Sequence, residues 1–177
     1  MTISDETLAR AAGDGDSEAF SALLNRHYDR VFRLAFRLTG ARAEAEDLCQ
    51  EICAALTAKL PAFRGEARFS TRLNRVDVNA ANDQRRWHAT YAKAAENWGE
   101  VEVARRVEAT ETAEALDWLT AAMRALPQEL QNTVALVLDD VTHAEAAEVL
   151  GVSEGTVSWR MSEAKKRLKA IKESEDV

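Results

Sequence analysis

Apolar side chains recur at intervals of three and four residues along most of the chain, and this pattern is typical of helices rather than strands. One such run extends from Phe20 to Leu38. Asp16 precedes it where a carboxylate can cap a helix, and Gly40 follows it where glycine commonly ends one. The pattern therefore predicts an all-α fold.

A second run, residues 43–60, has an apolar face that includes Leu48 and Ile52 and is followed by Pro61, which cannot continue a helix. The opposite face of the predicted helix carries acidic and amide side chains: Glu44, Asp47, Gln50 and Glu51. Such a face remains in solvent or binds a partner.

The same segment contains both cysteines, Cys49 and Cys53, which lie four residues apart and so share one helical face. We expect them to be small buried side chains rather than a disulfide. A zinc site needs about four ligands, and the three histidines are scattered singly along the chain. The sequence predicts neither a metal nor another cofactor.

Residues 70–87 predict a helix that Ser70 could cap and that carries two stripes. The apolar stripe consists of Phe69, Leu73, Val76, Ala80 and Trp87. The neighbouring stripe is basic and polar: Arg72, Arg75, Asn79, Asn82 and Arg86. Trp87 is followed by His88 and Tyr91, and aromatic rings beside cationic groups favour binding of single-stranded DNA. Alternatively, Trp87 anchors this helix to the core.

Residues 92–111 lack a sustained apolar stripe, and we interpret them as a linker with some helical content. They divide the chain into an N-terminal domain, residues 1–91, and a C-terminal domain, residues 112–177. The second domain begins with a helix whose apolar stripe consists of Leu116, Leu119, Met123 and Leu126. Pro127 suits the first position of the next helix.

A helix-turn-helix motif is predicted from Thr142 onward. Thr142 and Glu145 form a capping box, Gly151 suits a turn with positive φ, and Ser153 can cap the second helix. Small or apolar residues fill the angle between the helices and continue along the second one: Ala147, Val152, Val157, Met161, Ala164 and Leu168. The remaining early residues of the second helix should face outward, as in a recognition helix. Trp159 could meet DNA or pack on a partner, and the alternative for the whole motif is an ordinary helical hairpin.

The charge distribution agrees with two DNA-contacting segments although the chain as a whole has net charge -7. Residues 26–88 contain twelve basic and eight acidic side chains, a net charge of +4, and residues 157–172 have a net charge of +5. The 46% hydrophobic content is sufficient for a packed core. No run approaches the roughly 18 apolar residues of a membrane span, so we expect a cytoplasmic protein.

Three segments in this order resemble the extracytoplasmic function (ECF) class of bacterial RNA polymerase sigma factors: AEAEDLCQEICAAL, FRGEARFSTRLNRVDVNAAND, and LPQELQNTVALVL with the helix-turn-helix after it. The resemblance covers about 90% of the chain. It implies two small helical domains, sigma region 2 and sigma region 4, and a role in promoter-specific transcription initiation. Implied partners are core RNA polymerase, promoter DNA and an anti-sigma factor, which could hold the protein near the membrane.

The resemblance also implies three sets of site residues. Asp47, Leu48, Gln50 and Glu51 would bind core polymerase. Arg72, Arg75, Asn79, Asn82, Asp83 and Arg86 would engage and open the minus-ten element, with a flipped base near the N-terminal end of that helix. Thr156, Ser158, Trp159, Arg160, Ser162, Glu163, Lys165 and Lys166 would contact the minus-thirty-five element.

Some residues depart from the family pattern. Arg72 and Asn74 stand where the family commonly has aromatic residues, Asp77 replaces a small one, and Glu163 stands where a basic residue is common. On the helix that resembles the promoter-melting helix, Asp77 would repel phosphates unless Arg75 or another basic residue pairs with it. Glu163 could accept a hydrogen bond from cytosine or simply weaken the contact with DNA. These residues keep open the alternative of a sigma-like decoy that binds regulators without opening promoters. A dimeric helix-turn-helix regulator is a further alternative, whereas the sequence offers no nucleophile and base constellation of an enzyme.

Overall fold

The computed structural model describes residues 2–97 and 114–176, and all regular structure in these ranges is helical. The predicted all-α fold is confirmed. A short 3₁₀ turn, Leu60–Ala62, lies between the third and fourth α-helices. The helices are α1 (Asp5–Gly13), α2 (Ser17–Thr39), α3 (Arg42–Lys59), α4 (Phe69–Asn97), α5 (Glu114–Arg124), α6 (Gln128–Leu138), α7 (His143–Leu150) and α8 (Glu154–Glu175). None of these described helices is both long and apolar enough to cross a membrane.

Both ends of α2 form as the sequence predicts. The Asp16 carboxylate accepts hydrogen bonds from the backbone N–H groups of Glu18 and Ala19, at 2.9 and 3.0 Å. Gly40 ends the helix with φ of 75°, in the left-handed region. Because a side chain strains this conformation, glycine is the favoured residue here.

Helix α4 differs from its predicted bounds. It starts at Phe69, so Ser70 lies inside the helix and the expectation that Ser70 caps it is wrong. Helical hydrogen bonding already begins at the carbonyl of Arg68, which accepts from the N–H of Arg72. At its other end α4 continues to Asn97, so the first six residues of the predicted linker are helical. The rest of that linker lies outside the described residues.

The first four helices enclose a core whose most completely buried large side chains include Leu34, Leu48, Ile52 and Phe69. The Phe69 ring meets Phe63 edge to face, with 6.2 Å between ring centroids. Cys49 is buried in this core and Cys53 is half-buried, both as free thiols. Burial raises the pKa of Cys49 to about 11, so this thiol stays protonated at neutral pH.

The last four helices form a second unit around Met123, Leu126, Val157 and Ala164, all of which are buried. The side chain of Leu116 lies outside the described residues. Pro127 occupies the N-cap position of α6 rather than the predicted first helical position. This is still consistent with a residue that has no N–H to donate into the helix.

Helix α4 packs against α2 and α3 on one side and against α6 and α7 on another. For this reason its buried residues include polar ones, namely Asn74, Asp77 and Gln84. The expectation that Asp77 lies on the DNA face is wrong, because its side chain points into the protein and is 1% exposed. A two-stripe pattern could not reveal this, since it assumes that only one face of the helix is covered.

The Asp77 carboxyl has an oxygen, Oδ1, with no hydrogen-bond partner among the described residues. Burial raises its pKa well above the ordinary value; the charge of Arg30 opposes this shift and that of Asp139 adds to it. The thiols of Cys49 and Cys53 lie near enough for the Asp77 charge to raise their pKa values also. Asp77 is therefore an internal carboxyl that favours its neutral form.

We expect Asp77→Asn to be more stable than the parent at pH 8 and about equally stable at pH 4. The unfolded chain releases the Asp77 proton near pH 4, whereas the folded chain keeps it to higher pH, so the free energy of unfolding falls as pH rises through this window. Asparagine cannot ionise, so at pH 8 the variant should have a free energy of unfolding roughly 1–3 kcal/mol above that of the parent. Urea unfolding at both pH values measures this difference, and the exposed Asp83→Asn is the control. A parallel pH dependence of D77N and the parent would contradict the expectation.

Candidate nucleic-acid interface

The predicted polar stripe of α4 is divided between two environments in the structure. Asn79, Asp83 and Arg86 are exposed, and Arg72 is half-buried. Arg86 forms an ion pair with Asp83, one turn earlier. These side chains form a polar face on the part of α4 that the second unit leaves uncovered.

Arg75 and Asn82 instead contact the second unit. The Arg75 guanidinium donates to the backbone carbonyl of Glu148 in α7 at 2.7 Å. The Asn82 side-chain oxygen accepts from the amide of Asn132 in α6 at 3.0 Å. Two of the six residues expected to contact the minus-ten element therefore make contacts between the units in this arrangement.

Arg85 is a half-buried part of the same contact, and the sequence analysis missed it. Its guanidinium donates to Asn82 Oδ1 and Asn132 Oδ1, both at 3.0 Å, and to the carbonyl of Leu38 at 2.9 Å. Burial lowers the pKa of Arg85. One signal was available in the sequence, because the adjacent amides Gln131 and Asn132 of α6 lie directly before the mostly apolar stretch from Thr133 to Leu138.

The C-terminal part of α4 carries an exposed aromatic cluster. Trp87 is 62% exposed and Tyr91 is 54% exposed, which rules out the alternative that Trp87 anchors the helix in the core. Their rings stack with centroids 5.5 Å apart and an interplanar angle of 12°. His88 meets Trp87 edge to face. The outer faces of the stacked rings can receive a further planar group.

Near the start of α4, a polar cavity of about 180 Å³ lies between the end of α1 and the turn after α3. Arg10 and Arg64 line it with positive charge, Asp14 lines it with a carboxylate, and Phe63 supplies an aromatic wall that also contacts Phe69. The Arg10 guanidinium covers Gly65, where an added Cβ would lie 2.5 Å from Nη2. The cavity combines an aromatic wall with hydrogen-bond donors and one carboxylate acceptor, which together can bind a planar, polar ligand.

The residues expected to bind polymerase lie on α3. Asp47, Gln50 and Glu51 are exposed and form an acidic and polar surface. Leu48 is completely buried, so the expectation that its side chain contacts polymerase is wrong for this conformation. Leu48 instead belongs to the apolar face that holds α3 in place.

The helix-turn-helix has the caps that the sequence predicts. The Thr142 hydroxyl accepts from the N–H of Glu145, and the Glu145 carboxylate accepts from the N–H of Thr142. This second hydrogen bond lowers the pKa of Glu145. Gly151 ends α7 with φ of 66°, and Ser153 accepts from the N–H of Thr156 at the start of α8.

Most residues expected on the outer face of α8 are exposed: Ser158, Trp159, Ser162, Lys165 and Lys166. Trp159 is 62% exposed, so the described residues leave most of its side chain in solvent. Thr156 is half-buried. Glu163 is also half-buried and accepts a hydrogen bond from Arg167 at 3.0 Å, which neutralises its charge.

Arg160 does not project into solvent as expected. Its side chain is only 14% exposed and its Nη2 atom lies 3.7 Å from a carboxylate oxygen of Glu129. The reason is that α8 packs against α6, which brings Glu129 beside it. Arg160 would have to leave this position to reach a base.

Comparisons with known proteins identify both units. Residues 23–90 match the family Sigma-70 region 2, and residues 116–168 match Sigma-70, region 4. The ECF RNA polymerase sigma factor SigM of Mycobacterium tuberculosis is 36% identical over 166 residues, which span 93% of this chain and 83% of SigM. The ECF RNA polymerase sigma-E factor of Escherichia coli is 26% identical, over 94% of this chain and 93% of the sigma-E chain.

Solved structures agree with this fold. CnrH, in complex with the cytosolic domain of CnrY, superposes with a TM-score of 0.72 at 22% identity, over 96% of this chain and 97% of CnrH. The sigma factor RpoE of Bartonella quintana, in complex with the anti-sigma factor NepR, superposes with a TM-score of 0.70 at 21% identity, over 88% of this chain and 98% of RpoE.

We expect Thr142→Ala to lower the free energy of unfolding by about 1 kcal/mol, because it removes the side-chain cap of α7. Urea unfolding measures the change. Thr57→Ala is the matched control, since Thr57 is an exposed threonine in the last turn of α3, where it caps no helix N-terminus and alanine is a better helix former. Equal losses in both variants would show that the capping box contributes nothing specific.

Proposed function

Because this chain belongs to the ECF class of RNA polymerase sigma factors, we propose that it binds core RNA polymerase and directs it to specific promoters. The role is that of an initiation factor and not of an enzyme. The observation that carries the proposal is the presence of three separate exposed surfaces on one chain, each with the chemistry of one of the required contacts. These surfaces are the acidic face of α3, the polar face of α4 and the outer face of α8.

The acidic face of α3 suits a protein partner with basic groups. Asp47, Gln50 and Glu51 are exposed, and the buried Leu48 fixes the helix beneath them. We assign this face to core polymerase. Two modules that bind DNA weakly then gain specificity by being attached to one large partner, because the second contact becomes intramolecular.

The polar face of α4 and the cavity near its start suit an opened minus-ten element. Asn79 and Arg86 can contact bases and phosphates, and Asn82 joins them only when it leaves Asn132. Arg75 is exposed and has only its hydrogen bond to the carbonyl of Glu148 to give up. The cavity formed by Arg10, Phe63 and Arg64 can receive a flipped base. Capture of an extruded base offsets the few kcal/mol that unstacking costs.

The outer face of α8 suits the major groove at the minus-thirty-five element. Ser158, Trp159 and Ser162 are available to base edges, and Lys165 and Lys166 to phosphates. Thr156, Arg160 and Glu163 stand at the border of this surface and reach DNA only after local rearrangement.

An anti-sigma factor is the further partner that we propose, because the solved structure of RpoE from Bartonella quintana contains one. The decoy alternative loses two of its supports, since Asp77 is buried away from the DNA face and Arg167 neutralises Glu163. The proposal places the protein in the cytoplasm, where RNA polymerase and promoter DNA are found.

The decisive experiment combines the purified protein with bacterial core RNA polymerase and fragmented DNA from its host. We expect transcripts with defined start sites and reactive, unpaired thymines at the opened promoters. Asn79→Ala and Arg86→Ala should each reduce thymine reactivity about tenfold. Asn25→Ala, an exposed asparagine on α2, is the matched control and should leave reactivity unchanged. Binding to core without opened DNA would favour the decoy.

Replacing Lys165 and Lys166 together by alanine should weaken binding of the holoenzyme to the promoter found in that experiment. Loss of two phosphate contacts should lower the slope of log affinity against log salt by about 2. Filter binding over a range of salt concentrations measures the slope. Lys59→Ala, an exposed lysine at the end of α3, should not change it. An unchanged slope in the double variant would remove these lysines from the interface.

A further inference from the structure

One carboxylate, that of Asp139, joins the two units through three arginines. Its Oδ2 atom lies 3.0 Å from Nε of Arg30, and its Oδ1 atom lies 3.0 Å from Nη1 of Arg37 and 3.5 Å from Nε of Arg33. The Asp139 side chain is only 4% exposed. Solvent and salt therefore screen this cluster much less than they screen a surface ion pair.

The three arginines follow one face of α2 at intervals of three and four residues. Without an acidic partner they would repel one another along this face. Asp139 follows the last residue of α6, so its position is fixed by the end of that helix. The α2 face is thus a built carboxylate-binding surface, and in this structure the chain's own second unit occupies it.

Hydrogen bonds around this cluster hold the same arrangement. Gln131 donates to the carbonyl of Leu38 at 3.1 Å, and Arg124 donates to that of Thr39 at 2.8 Å. Arg124 lies so close to Gly40 that a Cβ there would be 2.7 Å from its Nε atom. The end of α2 is therefore enclosed by side chains of α5 and α6.

When the second unit packs on the first, it contacts α4 side chains that the proposed function assigns to DNA. Asn82 is half-buried and hydrogen-bonded to Asn132, and Arg75, although exposed, donates to the carbonyl of Glu148. Asp47, Gln50 and Glu51 are exposed and make no such contact with the second unit among the described residues. The second unit thus competes with DNA for the α4 side chains but leaves the acidic face of α3 accessible. This arrangement allows the chain to bind polymerase first and to engage DNA after the two units separate.

We infer that the chain inhibits itself by closing its region 4 unit onto its region 2 unit, with Asp139 and the α2 arginines as the latch. The part of this inference that concerns DNA rests on the proposed function. When only the open form binds, the apparent dissociation constant equals the intrinsic one divided by the open fraction. A variant that raises a small open fraction tenfold therefore binds DNA about tenfold more tightly.

The test uses the full chain with Asp139→Asn and Arg37→Gln, which break the latch from opposite sides. Small-angle X-ray scattering gives the radius of gyration, and circular dichroism checks that helix content is unchanged. We expect both variants to expand and to shift the ratio of open to closed forms about tenfold. The double variant should shift this ratio by less than the product of the two single shifts, since both substitutions remove the same contact.

The second measurement is binding of a fluorescent, mixed-sequence single-stranded oligonucleotide to the purified protein. We expect D139N to bind it about tenfold more tightly than the parent. Glu173→Gln is the matched control, because it removes one negative charge from an exposed ion pair on α8 and should change neither affinity nor scattering.

Unchanged scattering in both latch variants would overturn the inference, as would expansion of D139N without a gain in DNA affinity over E173Q. The scattering measurement contains neither DNA nor polymerase, so it can succeed even when promoter-directed transcription fails. Transcription by the wild-type chain with core polymerase tests the proposed function separately.

Discussion

The dehydration of charged and amide side chains between the two helical units is the constraint on which the arrangement of the molecule depends. A buried charge is costly unless it is paired and hydrogen-bonded. Asp139 meets this requirement through Arg30, Arg33 and Arg37. Arg85 meets it through Asn82, Asn132 and the carbonyl of Leu38. Because such partners have fixed directions, they specify one relative placement of the units, which apolar packing alone does less strictly.

The two units themselves are held by features of shorter range. Asp16, Thr142 and Ser153 cap helices, while Gly40 and Gly151 end them in the left-handed region. The angle of the helix-turn-helix is set by these residues together with the buried Val157. Asp77 is an exception to this local satisfaction of polar groups, because it is buried with an oxygen that has no hydrogen-bond partner among the described residues. Burial raises its pKa, so we expect the stability of region 2 to fall as pH rises.

In the closed arrangement of this sigma factor, the proposed contact surfaces on α3 and α4 differ in how accessible they are. The acidic face of α3 and the polar face of α4 are exposed, whereas Arg75 and Asn82, which lie beside the polar face, contact the second unit. The exposed Trp87 and Tyr91 extend the α4 surface beyond that contact. The overall charge of -7 opposes nonspecific attraction to DNA phosphates, and we expect DNA binding to depend on the two basic segments being presented together.

The sequence by itself determined the all-α fold, the caps at Asp16, Thr142 and Ser153, and the identity of the family, whereas the predicted Ser70 cap and the end of α4 were wrong. Periodicity, caps and the glycine positions act within a few residues, so they can be read from the chain directly. It did not determine which faces are covered. Trp87 was compatible with a core position and is exposed, Asp77 was assigned to the DNA face and is buried, and Arg160 was expected outside and lies against Glu129. Residues such as Asp139 and Arg85 gain their roles only from partners far away in the chain. Burial and charge pairing depend on what the whole fold brings near each side chain, and only the tertiary structure decided them.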